Sequence, residues 1–315
     1  MKRFTAFIFL IVVLFGYKQT ADANSGKINV VCTILPQYDW VLQILGNKFE
    51  NVNMILLLNN RIDLHNYQPS VDDIVKISTC DLFIYVGGES DKWVGGALKT
   101  ATNPNMIVID LLNELGTAAK MEEIVEGMEE GEDEDEAEYD EHVWLSLKNA
   151  RTFCSVIADA LSSLDSDNAR EYQNNLIAYT GKLSALDSEY QAMVNAAPVK
   201  TLLFGDRFPF RYLVEDYGLS YHAAFPGCSA ETEASFETIV FLAKKMDELN
   251  LRNVMVTEST DQSIAKTIIN NTRDKNQQIL ALNSMQSVTL SDLRNGTTYL
   301  SVMEDNLNVL EEALR

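Results

Sequence analysis

Basic charge is scarce in this chain. Lys and Arg number 25 against 46 Asp and Glu, for a net charge of −21. A nucleic-acid surface needs clustered Lys and Arg, so this balance argues against such a partner and is compatible with a cationic one. Histidine is scarcer still: His65, His142 and His222 are the only three. The four cysteines, Cys32, Cys80, Cys154 and Cys228, contain no C-x-x-C pair. That speaks against a zinc knuckle or a thioredoxin motif and leaves buried free thiols as the expectation. The G-x-S-x-G elbow, the G-x-x-x-x-G-K-[ST] loop and the G-x-G-x-x-G fingerprint are all missing, and with them the enzyme classes they mark. Beyond the first residues there is no apolar run long enough to cross a bilayer, so the chain is not itself a pore.

At the start, Lys2 and Arg3 precede the apolar run Ala6 to Phe15, and Ala21-Asp22-Ala23 follows. That is the pattern of a cleaved export signal over residues 1–23, placing the mature protein outside the cytoplasm. The 315 residues and 46% hydrophobic content suit two domains or one large one. Strand-like apolar runs fall at 27–34, 51–58, 80–88 and 105–111, with helical patterns between them, which reads as a parallel sheet covered on both faces. The pattern restarts after Pro198, with strands expected at 199–205, 219–225, 254–258 and 277–283. Between the two sets, Tyr172, Leu176, Tyr179, Leu183, Leu186, Tyr190 and Met193 step alternately by four and three, the stripe of one long helix. The expected organisation is an α/β domain at 24–165, a linking helix at 166–197 and a second α/β domain at 198–315. Ligands of such sheets bind outside the carboxyl ends of the strands, so two sets of strand ends can face each other across a cleft.

Thirteen Asp or Glu and no Lys or Arg lie between Glu122 and Glu141. Such runs are usually solvated segments, but this one ends on His142. His65 and His142 both sit in expected loops of the first domain. Two such residues among three histidines point to a metal site, since imidazole suits zinc, and manganese or iron when carboxylates complete the shell. His222, in an expected strand, reads as structural.

The segments "HNYQPS" (65–70), "HVWLS" (142–146), "DLFIYVGG" with Trp93, "YLVEDYGL" (212–219), "VTESTDQSIAKTI" (256–268) and "YLSVMEDNL" (299–307) occur in an order and spacing that resemble the metal-specific solute-binding proteins of bacterial ABC importers, the zinc and manganese uptake family. The resemblance spans nearly the whole mature chain. It implies two α/β domains bridged by one rigid helix, a metal cleft between them, and a non-enzymatic receptor that passes a divalent ion, zinc first and manganese second, to a membrane permease. The family often carries an acidic or histidine-rich loop where residues 122–141 stand. Carboxylates there would raise the local cation concentration. A monomer is expected, and Tyr17 stands where many relatives have the cysteine that takes a lipid, so an anchor is not supported.

The resemblance also implies two ligands from the second half, a histidine or glutamate at the position of Arg207 and an aspartate at that of Asn283. Neither residue present is a usual metal ligand, and Arg207 as a permanent cation is none. Asp206, Glu258 and Glu231 or Glu233 are nearby substitutes, and Asp206 and Glu258 are the expected ones. Arg207 is expected to pair with Glu231, Glu233 or Glu258 and orient it. Two rivals are a receptor of the same fold holding an anion or organic ligand through Arg207, and a surface adhesion protein.

Overall fold

The computed structural model describes residues 26–59, 62–128, 138–229 and 233–315. Expected signal residues 1–23 and most of the acidic run, 129–137, lie outside these.

Among the described residues, eight strands form two sheets. β1 (Ile28–Cys32), β2 (Val52–Leu56), β3 (Leu82–Tyr85) and β4 (Ile107–Asp110) are ordered β2-β1-β3-β4. β5 (Thr201–Phe208), β6 (Ser220–Pro226), β7 (Asn253–Thr257) and β8 (Gln278–Leu282) are ordered β6-β5-β7-β8. Every pairing is parallel. The two halves thus repeat one topology, β1 corresponding to β5, β2 to β6, β3 to β7 and β4 to β8. In each sheet the chain winds first to one side and then to the other, so the switch point lies between β1 and β3, or between β5 and β7. Such strands are covered on both faces and need apolar residues on both: Val30, Val31, Cys32, Leu82, Phe83 and Ile84 are fully buried.

The first-half strands stop earlier than their apolar runs suggest, because their last residues turn into loops. β5 does the opposite. The pairing with β6 continues, after a register shift between Phe204 and Arg207, as far as Phe208 and Pro226. Asp206 and Arg207, expected in a loop, therefore belong to the strand end.

Local capping sets the helices beneath the site. Ser70 closes a capping box with Asp73 at the helix Val71–Thr79, and Ser146 accepts from Asn149 N at the start of the helix Leu147–Leu164. These satisfy amides that the first turn leaves without partners. The long helix runs from Ala169 to Ala196, about 42 Å at 1.5 Å per residue, and Pro198 follows its end. Tyr172, Tyr179, Leu183, Leu186 and Tyr190 of the expected stripe are buried, and Leu176 and Met193 pack partly buried against the same core. The helix is bonded to both parts of the molecule: Asn175 Nδ2 donates to Ile44 O (2.9 Å) and Tyr190 Oη to Met303 O (2.6 Å). The last helix, Tyr299–Ala313, crosses back to the first half. Tyr299 N donates to Asp39 Oδ2 (2.9 Å) and its hydroxyl to Trp144 O (2.7 Å).

Candidate metal centre

His65 follows β2 in the single turn Leu64–Asn66, whose start is capped by Asp63 accepting from His65 N (3.1 Å). Its motif explains its placement. Two residues on, Tyr67 is buried with its ring edge-on to Trp93 at 5.7 Å, and Ser70 then caps the next helix. His142 is reached after β4 and the acidic run. Val143, Trp144 and Leu145 after it are buried in a single turn, and Trp144 Nε1 donates to Ser284 O in the second half (2.9 Å). The motif "HVWLS" therefore aims a histidine, locks it against the other half and starts a helix within five residues.

The two Nε2 atoms approach to 3.2 Å. His142 is fully buried, and its Nδ1 lies 3.0 Å from Asp140 Oδ1. His65 Nδ1 lies 2.8 Å from Ser90 Oγ and 3.4 Å from Glu141 Oε2. Ionised carboxylates only accept, so Asp140 fixes the ring proton of neutral His142 on Nδ1, and the acidic side of His65 favours the same tautomer. Two Nε2 lone pairs then converge. This is the carboxylate–histidine arrangement that orients metal ligands. Zinc–nitrogen bonds of about 2.0–2.1 Å give a tetrahedral edge of about 3.3 Å, which matches the observed separation. Burial opposes protonation of His142, but the Asp140, Glu141 and Glu122 charges outweigh it, so its pKa stands above the ordinary value.

Glycines make room for this packing. Gly88, at φ +81°, would collide with Glu141 if it carried a Cβ. A Cβ at Gly227 would stand 3.1 Å from His142 Cε1 and 2.8 Å from Phe208 O.

The second half contributes two donors that were not expected. Among the described residues, the group of histidine, cysteine and carboxylate side chains with converging donor atoms is His65, His142 and Cys228, all within 4.8 Å of one another. Gln286 joins them, its Nε2 3.0 Å from His142 Nε2 and 3.4 Å from His65 Nε2. Turned over, the same amide presents its oxygen to that point.

Asp206 and Glu258, the expected second-half ligands, are engaged elsewhere. Asp206 accepts from Thr257 N (2.9 Å), Thr257 Oγ1 (2.5 Å) and Arg207 N (2.8 Å), tying β5 to β7. Glu258 accepts from Ser284 N (2.8 Å) and from the hydroxyls of Ser284 and Ser287 (3.1 Å each), so it shapes the loop that carries Gln286. Asn283 turns that loop through its own side chain, which accepts from Met285 N (2.8 Å). Arg207 pairs with Asp63 (2.7 Å) rather than with Glu233 or Glu258; Glu231 lies outside the described residues. His222 is partly buried in β6 against Phe241, apart from the group.

Gln286 and Cys228 had weak signals in sequence. An amide is a common loop residue. Cys228 follows a Pro-Gly turn directly after an apolar strand, but ligand spacing is uninformative when each donor comes from a different strand end. All four cysteines are free, three of them fully buried. Burial, with the nearby charges of Glu122, Asp140 and Glu141, holds the Cys228 thiol well above its usual range.

The start of the acidic run is built into this region. Glu122 accepts from Cys228 N (2.8 Å), Glu123 pairs with Arg211, and Met121 and Tyr139 form an antiparallel bridge.

Two α/β halves with donor side chains meeting at their strand ends define the class of two-lobed, periplasmic-binding-like solute receptors. The comparisons narrow this. The profile of the family described as zinc-uptake complex component A, periplasmic, matches residues 30–313, and the chain belongs to that family, which comprises metal-binding transport receptors rather than enzymes. It is 29% identical to the zinc-binding lipoprotein AdcA of Streptococcus pneumoniae over 303 residues, covering 96% of this chain and 58% of that protein. The chain thus spans a little over half the length of the first curated relatives it matches. It is 27% identical to the high-affinity zinc uptake system protein ZnuA of Bacillus subtilis, covering 97% of this chain and 94% of that one. In structure it is similar to the Zn(II)-bound ZnuA-like domain of the pneumococcal AdcA, with a TM-score of 0.71 and 28% identity, covering 92% of this chain and 99% of that one.

Proposed function

We propose that this protein is the extracytoplasmic receptor of a metal importer, that it captures a divalent cation, zinc before manganese, and that it delivers the ion to an ABC permease without catalysing a reaction. His65 and His142 are the first-half ligands, and the two α/β units at 24–165 and 198–315, with the helix between them, are its lobes. The observation that carries the reading is the convergence of two imidazole Nε2 atoms at 3.2 Å with a carboxylate behind each ring. The zinc-binding names of the relatives and the zinc-bound structural neighbour support it. Among the described residues no helix is long and apolar enough to cross a membrane, which fits a component that acts beside a permease. The monomeric state is part of the proposal. Arg207 argues against the anion receptor, because its guanidinium is already engaged by Asp63 and by Ser229 O (3.3 Å).

Calorimetric titration of the demetallated protein tests this reading. One zinc per chain should bind, with manganese weaker. A ligand at a hundredfold excess over its dissociation constant stabilises by about 2.7 kcal/mol, so zinc should raise the melting temperature. His65→Ala and His142→Ala should each lose most of that rise while melting cooperatively. A full zinc-induced rise in either variant would remove that histidine from the site.

A further inference from the structure

We propose that Cys228 is the second half's metal ligand, binding as a thiolate, and that it biases the receptor toward thiophilic cations, zinc and cadmium, over manganese. This rests on the receptor reading above.

The first argument is positional. His65 follows β2 and His142 follows β4, while Cys228 follows β6 and Gln286 follows β8. Since β6 corresponds to β2 and β8 to β4, Cys228 holds in the second half the place His65 holds in the first. Both halves send donors from the connections that follow their two outer strands to one point, His142 from the far end of the long connection after β4.

The second argument is charge. Asp206 and Glu258 are occupied by hydrogen bonds within the second half. Two imidazoles and the Gln286 amide are all neutral, which is a poor set for a dication. Among the described residues, Cys228 is the one member of the converging group that can become anionic, by giving up its thiol proton to the metal. On binding, the thiol proton leaves to solvent and a sulfur–metal bond forms, so capture releases one proton from this residue. A zinc–sulfur bond of about 2.3 Å beside zinc–nitrogen bonds of about 2.0–2.1 Å gives a sulfur–nitrogen edge of about 3.6 Å. The donor atoms, within 4.8 Å of one another, need to close by about 1 Å at most.

The third argument is support. Cys228 N is held by Glu122 (2.8 Å), so the first acid of the acidic run positions the loop carrying the thiol. Gly227 lets that loop pass against the His142 ring. A soft sulfur ligand favours zinc, cadmium and copper(I), whereas manganese prefers oxygen.

Cobalt(II) titrated into the demetallated full chain reads the bond directly. A thiolate–cobalt charge-transfer band in the near ultraviolet is expected, absent in Cys228→Ser. Zinc affinity of that variant should fall by more than about tenfold, manganese affinity much less, so the zinc-to-manganese ratio drops. Should Cys228→Ser fail to melt cooperatively, the unmodified chain still answers: bound zinc should protect the Cys228 peptide from iodoacetamide, as read by mass spectrometry. Cobalt bound without the band, or alkylation unaffected by zinc, would overturn the ligand role of Cys228 while leaving the histidine receptor standing. A wild-type chain that binds neither cobalt nor zinc would overturn the receptor reading, and this proposal with it.

Discussion

Asp91 shows how a single residue beside the centre ties the fold to pH. Its Oδ2 accepts from Val86 N (2.9 Å) and Gly87 N (3.0 Å), and its Oδ1 is buried without a partner. Desolvation, reinforced by the charges of Glu141 and Asp110 and opposed by the two amides, pushes its carboxyl up to about 7 from 3.8. A carboxyl raised by folding favours the native state while it is protonated. Its contribution is complete below the unfolded value and is lost as pH rises through about 7, at up to about 1.4 kcal/mol per pH unit. Asp91→Asn keeps an oxygen for both amides and removes the buried charge. Its melting temperature should exceed that of the wild type by a few degrees at pH 8 and equal it near pH 4. An offset that is the same at both pH values would show that Asp91 does not titrate in this window.

At the scale of elements, the acidic run divides into two parts with different work. Glu122, Glu123 and Glu126 grip the second half through Cys228, Arg211 and Lys245, and Asp140 and Glu141 stand behind the histidine rings. These residues are structural parts of the centre, a role that charge counting along the chain does not reveal. Residues 129–137 hold seven of the thirteen acids. A run of like charge acts by its field, which is screened beyond about 8 Å at physiological salt and reaches about 30 Å at 0.01 M. Replacing 129–137 by a Gly-Ser linker should leave equilibrium zinc affinity nearly unchanged and slow capture at low ionic strength only, as stopped-flow association at two salt concentrations would show. A large loss of equilibrium affinity would instead mean that this segment supplies ligands. Glu122→Ala should do what the linker does not and weaken equilibrium binding, through the Cys228 loop.

For the whole molecule, the contact between halves is what brings Cys228 and Gln286 beside the two histidines. Arg207 at the end of β5 and Asp63 in front of His65 form an ion pair across it, each side chain about one-fifth exposed. Asp63 also caps the turn that aims His65. Desolvation opposes ionisation of Asp63, but His65 and Arg207 outweigh it and hold the carboxyl below its ordinary value. Because it spans the two halves and already engages the guanidinium, the pair is expected to latch the halves together rather than to hold an anion. A pair of this exposure is worth about 1 kcal/mol or less, or about fivefold in an equilibrium constant. Arg207→Ala should therefore speed zinc dissociation up to about fivefold, with little change in association rate, in a chelator-chase experiment. Unchanged dissociation would remove the latch.

Local chemistry determined much of this protein from sequence alone. Strands, helices and the buried stripe of the linking helix follow from apolar periodicity, which depends on near neighbours, and the two motif histidines stand out because the chain has so few. The boundaries moved where tertiary pairing took over, as at β5, which β6 holds to Phe208. Only the folded structure shows which second-half side chains stand beside the histidines. Asp206 and Glu258 are metal-capable by type, yet both are spent on backbone amides and hydroxyls of their own half. Cys228 and Gln286 lie 58 residues apart in sequence, on loops after opposite outer strands of one sheet. No spacing rule connects them to each other or to the histidines, because parallel topology, not chain distance, brings four strand ends to one point.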